Sequence, residues 1–266
     1  MTERALNHAD NKEILRLEAL TRNFGGLRAV SNFGLTLHRG ELKGLIGPNG
    51  AGKSTVFNLI SGLYKPNSGR IFMDGEDITG KRPHVIVNKG LARTFQTVKL
   101  LEGKSVMETM MTTFFLAYEY NTLDAIFRTK RYRKQEKALE EKAIHFLTKL
   151  GVDHLKDEIG NELPYGFQRK VSIAGTLCLN PKVLLLDEPM AGLTHSEKNE
   201  LIDIIQRLRE EFHISIILVE HDMKVIMKVC DSIAVISNGL LIAEGNGEQI
   251  RTNQNVIKAY LGKNIL

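Results

Sequence analysis

The sequence predicts an α/β fold in which a mostly parallel sheet is covered by helices, and three observations predict it. Leu42–Ile46 is a short apolar strand candidate, broken at once by the glycine-rich Gly47–Gly52 and followed by helical spacing at Val56, Leu59 and Ile60. Continuous apolar runs at Val183–Leu186, Ile214–Val219 and Ser232–Ile236 read as buried strands, with a helix pattern at Leu201, Ile204, Ile205 and Leu208 between the first two. Strands alternating with helices in this way form a parallel sheet with helices packed on it. Between these regions, roughly 105–150, Leu139, Ala143, Phe146, Leu147 and Leu150 share one helical face, which predicts a helical insertion.

The remaining elements follow in chain order. Ile14–Leu20 and Ala29–Leu37 read as strands bounded by Gly25-Gly26 and Gly40, and Arg70–Met73 as a strand closed by the turn signal Asp74-Gly75. Within the insertion, Arg128–Lys137 carries six cations in ten positions. It is placed between helices and reads first as a solvated face, with anionic lipid or an acidic partner as the alternative contact. No repeat, low-complexity tract or linker interrupts the chain, so the insertion reads as a subdomain.

Composition narrows the function classes. With 266 residues, 42% hydrophobic and 25% charged, the chain has enough apolar surface for a full core, which excludes disorder as its main state. A net charge of +5 favours phosphate-rich or anionic partners without choosing among nucleotide, nucleic acid and lipid. Cys178 and Cys230 each sit in apolar stretches, as expected of small core hydrophobes in a reducing compartment. Met1–Asp10 lacks the apolar core of a secretory signal, and every apolar run is far shorter than the roughly 18–20 residues a membrane span requires, so membrane association is expected to be peripheral.

Two motifs carry chemistry. Gly47-Pro48-Asn49-Gly50-Ala51-Gly52-Lys53-Ser54-Thr55 matches the phosphate-loop pattern G-x-x-x-x-G-K-[ST], between a strand and a helix as the mechanism demands. Its glycines let the backbone wrap a phosphate, its N–H groups and the positive helix end face the anion, Lys53 neutralises the β- and γ-phosphates, and Ser54 is expected to ligate magnesium. Asp187-Glu188 ends an apolar strand with two adjacent carboxylates, where open α/β sheets bind ligands. Neighbours on an extended chain point different ways, so Asp187 can hold the magnesium shell while Glu188 serves as general base toward water. These parts are shared by many nucleotide hydrolases and do not choose among them.

Further residues choose. Leu163-Pro164-Tyr165-Gly166-Phe167-Gln168-Arg169-Lys170, opening an amphipathic helix about twenty residues before Asp187, resembles the signature segment of ABC ATPases. Gln96, after Leu91-Ala92-Arg93-Thr94-Phe95, resembles their Q-loop; Ala191-Gly192-Leu193-Thr194 lies at the D-loop; Glu220-His221-Asp222 resembles their switch histidine; and Phe24 matches the aromatic that stacks on adenine. Within the family the chain is similar to the ATPase subunits of branched-chain amino acid importers, through Arg22–Leu27, the Leu91–Gln96 run, Tyr165-Gly166, Glu220–Met223 and the ending Val256–Gly262.

The resemblance implies the P-loop NTPase fold of ABC ATPases: a mixed, mostly parallel sheet core, an N-terminal antiparallel β part, a helical subdomain at about 97–180 and a C-terminal helix at about 247–262. It implies ATP and Mg2+ as ligands, with Phe24, Gly47, Asn49, Gly50, Ala51, Gly52, Lys53, Ser54, Thr55, Gly166 and Gln168 binding nucleotide. Ser54, Gln96 and Asp187 would serve the metal, and Glu188, His221 and Gln96 catalysis. It also implies a second ATPase subunit, two transmembrane permease subunits, a solute-binding protein acting indirectly, and a place on the cytoplasmic face of the membrane. Pro164, Thr194 and Gly175 depart from the family's usual serine, aspartate and arginine.

The expected function is ATP hydrolysis powering import of branched-chain or related amino acids. The alternatives are an ABC ATPase for another solute, a nucleotide-binding module without turnover, or a soluble ABC-type ATPase acting on nucleic acid. The last sits poorly with a separation of only 133 positions between Ser54 and Asp187, because DNA-tethering members insert long coiled coils there. No nucleic acid partner is expected.

Overall fold

The structure, a computed structural model, describes residues 12–94, 100–114 and 122–261. The chain divides into two compact units, Met1–Lys81 with Phe212–Leu266, and Arg82–Glu211.

The first unit opens with β1 (Glu13–Phe24) and β2 (Leu27–His38), a long antiparallel hairpin in which Phe24 pairs with Leu27 across Gly25-Gly26. Gly25 has φ 56°, a left-handed conformation that glycine adopts without strain. β3 is Leu42–Ile46, α1 is Lys53–Ile60, and β4 (Ser68–Met73) and β5 (Glu76–Asp77) complete a four-stranded antiparallel sheet in the order β2-β1-β4-β5. Alternating burial along β1 and β2 gives this sheet one apolar face, with Leu15, Leu17, Leu20, Phe33, Leu35 and Leu37 inside.

The second unit begins with α2 (Pro83–Asn88), β6 (Leu91–Arg93) and α3 (Val106–Thr112), followed by α4 (Thr122–Ile126) and α5 (Lys130–Lys149). α6 (Tyr165–Leu177), β7 (Val183–Asp187) and α7 (His195–Phe212) follow; only the last residue of α7 lies in the first unit. β6 and β7 are parallel, with Leu91 beside Val183 and Arg93 beside Leu185. Ala143, Phe146, Leu147 and Leu150 are buried as their spacing predicts, while Leu139 is half-buried.

The basic run departs from its expected place: it does not lie between helices but starts α5. Thr129 is the reason, since its hydroxyl accepts from the Tyr132 N–H and nucleates the helix one residue before Lys130.

Returning to the first unit, β8 (Ser215–Val219), α8 (Met223–Val229), β9 (Ser232–Ser237) and β10 (Leu240–Gly245) lead into α9 (Gly247–Thr252) and α10 (Gln254–Leu261). β3 lies between β8 and β9, parallel to both, and β10 pairs antiparallel with β9. Every residue of β3 and β8 is buried, as their continuous apolar runs predict, and so is every residue of β7 in the other unit. One lysine sits inside β3: Lys43 is compensated by Glu244 at 2.5 Å and Glu41 at 3.4 Å. The stretch 247–261 is two helices separated at Asn253, which caps the second by accepting from the Asn255 and Val256 N–H groups.

Among the described residues no helix is long and apolar enough to cross a membrane. Both cysteines are free thiols, and burial pushes Cys178 up to about 12, so it stays protonated and serves as a core hydrophobe.

Candidate functional site

In the first unit the glycine loop leaves the buried end of β3 and enters α1. A Cβ added to Gly47 would lie 2.0 Å from the Ile236 carbonyl oxygen, and one on Gly52, where φ is 112°, 2.6 Å from that of Ala29. No side chain fits at either position, so the loop runs as bare backbone against β9 and β2. The loop is braced by the Gly239 N–H, which donates to Ala51 O at 2.8 Å, and by a hydrogen bond between the Gly47 backbone and Tyr260 of α10. Burial raises the Tyr260 phenol above its ordinary range against that bond.

Lys53 is buried, and its ammonium donates to the carbonyls of Gly47 (2.7 Å) and Pro48 (3.1 Å), closing the loop into a ring. Gly52 caps α1 without a side-chain hydrogen bond, so the positive end of the helix faces the loop. Asn49, Gly50 and Ser54 are exposed, Thr55 is half-buried and Ala51 is buried.

The parallel register of β3 and β8 sets Gly44 beside Leu218, and carrying it on brings Glu220 level with Ile46. The loop and His221 therefore leave the same edge of the sheet. His221 is exposed, its N–H donating to the Glu220 carboxylate at 3.3 Å, and Asp222 caps α8 by accepting from Lys224 N–H. Phe24, at the end of β1, is more than a third exposed and meets Tyr64 edge-on at 5.2 Å. Arg22 lies over both rings, 4.8 Å from Phe24 and 5.5 Å from Tyr64, while donating to Lys65 O at 2.9 Å. Sequence reasoning found Phe24 but not the Arg22 and Tyr64 that fix its ring. Tyr64 stands in the turn after α1, and nothing in its local pattern marks it.

In the second unit, β7 delivers Asp187 buried. Arg93 of β6 donates to Asp187 Oδ2 at 2.7 Å, with both side chains at least nine-tenths buried. Glu188, half-buried, has φ 48°, a left-handed conformation that costs a residue with a Cβ about 1–3 kcal/mol. Gln96 lies outside the described residues.

α6 begins at Gly166's neighbour Tyr165, with Pro164 as its cap and no side-chain capping bond. Gln168 turns back: its amide donates to Leu163 O (2.7 Å) and Asn161 O (3.2 Å), so it shapes the segment ahead of the helix. A Cβ on Gly166 would lie 2.7 Å from Glu197 Oε1 and one on Gly175 3.1 Å from the Thr113 side chain, so Gly175 sits where α6 packs closely against the end of α3 and a larger side chain would have to displace Thr113.

Thr194 also has a physical reason. Its N–H and hydroxyl donate to Glu197 (2.8 and 2.7 Å), and its hydroxyl accepts from Glu197 N–H (3.3 Å), a reciprocal cap on α7. These bonds, the hydroxyl's first, hold the Glu197 carboxyl below its ordinary range. Thr194→Ala should cost about 1 kcal/mol of stability in denaturant unfolding; an unchanged midpoint would show that the cap contributes nothing.

A family model described as ABC transporter matches residues 30–191, and one described as branched-chain amino acid ATP-binding cassette transporter matches residues 241–264. The chain is 40% identical over 253 residues to the high-affinity branched-chain amino acid transport ATP-binding protein BraF of Pseudomonas aeruginosa, covering 95% of this chain and 99% of that one. It is 37% identical, with the same coverage, to the LivG protein of the same description from Escherichia coli. Among solved structures, a nucleotide-free ATP-binding cassette from an ABC transporter is 32% identical with a TM-score of 0.81, and the ADP conformation of another such cassette is 31% identical with a TM-score of 0.82. Each covers 94% of this chain and 99% of its own.

Proposed function

The chain belongs to the ABC transporter family of ATP-binding proteins, and from that premise we propose that it hydrolyses ATP to power import of branched-chain or related amino acids. The observation that carries the reading is the loop at Gly47–Lys53: two glycines, Gly47 and Gly52, where no Cβ fits, a helix end without a side-chain cap and a lysine folded over it. Such a loop is built to hold phosphate.

The nucleotide phosphates lie along Gly47, Asn49, Gly50, Ala51, Gly52, Lys53, Ser54 and Thr55, with the adenine on Phe24. Ser54, Asp187 and Gln96 provide hydroxyl, carboxylate and amide oxygens, a hard donor set that suits Mg2+, which takes few protein ligands alongside phosphate. When bound, Mg2+ neutralises charge on the β- and γ-phosphates. Arg93 holds Asp187 by one oxygen. Glu188 accepts the proton of the attacking water, and His221 contacts the γ-phosphate.

One loop and one signature segment per chain require a second ATPase subunit, whose Gly166 backbone and α6 N-terminus complete the site. Pro164 offers no N–H there, so Gly166 carries that contact. Loss of the γ-phosphate removes charge-assisted bonds from both subunits and moves two permease subunits between access states, with a solute-binding protein delivering the amino acid. The chain then works at the cytoplasmic face of the membrane.

ATPase activity measured with the partner ATPase present tests this reading; no ATP-dependent association with any cassette, and no turnover, would contradict it. Phe24→Ala should weaken ATP binding about tenfold, from loss of one stacking surface. Equal affinity by calorimetry would place the adenine elsewhere.

A further inference from the structure

The turn joining α4 to α5 carries features that ATP hydrolysis does not use. Arg128 takes a left-handed φ of 45°, and Thr129 ties the turn by donating to Asp124 Oδ1 at 2.9 Å. The turn holds two apolar side chains out into solvent: Ile126 is 66% exposed and Phe127 74%, and among the described residues no large hydrophobic is more exposed than Phe127.

The basic stripe begins three residues later. At about 100° per residue, Lys130, Arg133, Lys134 and Lys137 fall along one line on α5, opposite the face that buries Ala143, Phe146 and Leu147. All four are exposed, as are Arg128 and Arg131. Against these cations the stretch 128–137 has one acid, Glu136, so its net charge equals the +5 of the whole chain. At its far end the stripe meets an acid of its own helix, Glu141, 3.8 Å from Lys137.

The stripe also sits at the wrong end of its helix. The first turn of α5 has no acidic residue, and its cations face the positive end of the dipole, where an anion is favoured. The helix dipole does not favour cations there, whereas an external anionic surface does.

We propose that this tip contacts anionic lipid, with Ile126 and Phe127 entering the headgroup layer and the α5 stripe lying over the phosphates. A convex pair of apolar side chains flanked by cations matches a headgroup layer, which demands no complementary shape and rewards apolar burial and positive charge together. The phosphate backbone of a nucleic-acid duplex would reward the charge alone. The proposal rests on α4 and α5 and requires no ATP, so its failure leaves the ATPase reading intact.

The test is sedimentation of the full chain with vesicles of phosphatidylcholine alone and of phosphatidylcholine mixed with phosphatidylglycerol. Binding is expected only to the mixed vesicles and weakens with salt. Changing Lys130, Arg133, Lys134 and Lys137 together to Gln should reduce it at least tenfold, and Phe127→Ser about tenfold. Both variants keep nucleotide affinity and melting temperature, which shows that they fold. Absence of binding to mixed vesicles, equal binding to neutral ones, or binding indifferent to the four substitutions overturns the proposal. So does salt-sensitive binding of poly-glutamate, lost in the fourfold variant, when the vesicles do not bind; that result would assign the stripe to an acidic protein.

Discussion

Glu188→Gln is expected to bind ATP as the parent chain does and to hydrolyse it about 100- to 10,000-fold more slowly. The amide keeps the size and planarity of the carboxylate but cannot accept the proton of the attacking water. β7 is buried along its whole length and Glu188 follows it with φ 48°, so the backbone that aims this side chain is set by the strand and persists in the variant. Phosphate release at saturating ATP measures the loss, and calorimetry the retained affinity. Unchanged turnover would remove Glu188 from the chemistry. Glu188→Gly separates activity from strain: it loses turnover equally while gaining about 1 kcal/mol of stability, because glycine takes the left-handed conformation freely.

The second large effect belongs to Lys53. Replacing its ammonium by the apolar end of methionine should weaken ATP binding by about 3 kcal/mol, roughly 100-fold, as two charge-assisted contacts to phosphate are lost. The same ammonium donates to Gly47 and Pro48, so the variant also leaves two carbonyls of the loop without that donor. Thermal unfolding without nucleotide isolates this structural cost. A weakened affinity beside an intact melting temperature assigns the effect to phosphate, whereas full affinity would show that Lys53 only closes the loop.

Local requirements were legible in the sequence, and distant pairings were not. The glycine loop could be read because strand, glycine run and lysine are contiguous, although what forbids a Cβ at Gly47 and Gly52 is distant backbone, the carbonyls of Ile236 and Ala29. β3, β7 and β8 could be read because strands buried on both faces lose all alternation. Arg93 with Asp187 could not, since the residues are 94 positions apart and meet only because β6 and β7 pair in parallel.

Helix boundaries were harder than helix faces. The spacing from Ala143 to Leu150 marked the buried side of α5, yet the run of charges before it looked like a connection; one threonine hydroxyl at position 129 turned it into helix. Thr194 stands where the family pattern has aspartate, and that pattern says nothing of what the threonine does. Its physical partner is Glu197, three residues on, and that spacing is itself a sequence signal for a helix cap.

The most direct measurement is a crystal structure of the Glu188→Gln chain with ATP and Mg2+. It should show the Lys53 ammonium on the β- and γ-phosphates and the Asp187 carboxylate in the metal shell of that same nucleotide, with Gly166 of a second subunit at the γ-phosphate. Lys53 and Asp187 directed into separate cavities, with one nucleotide touching only one of them, would contradict it.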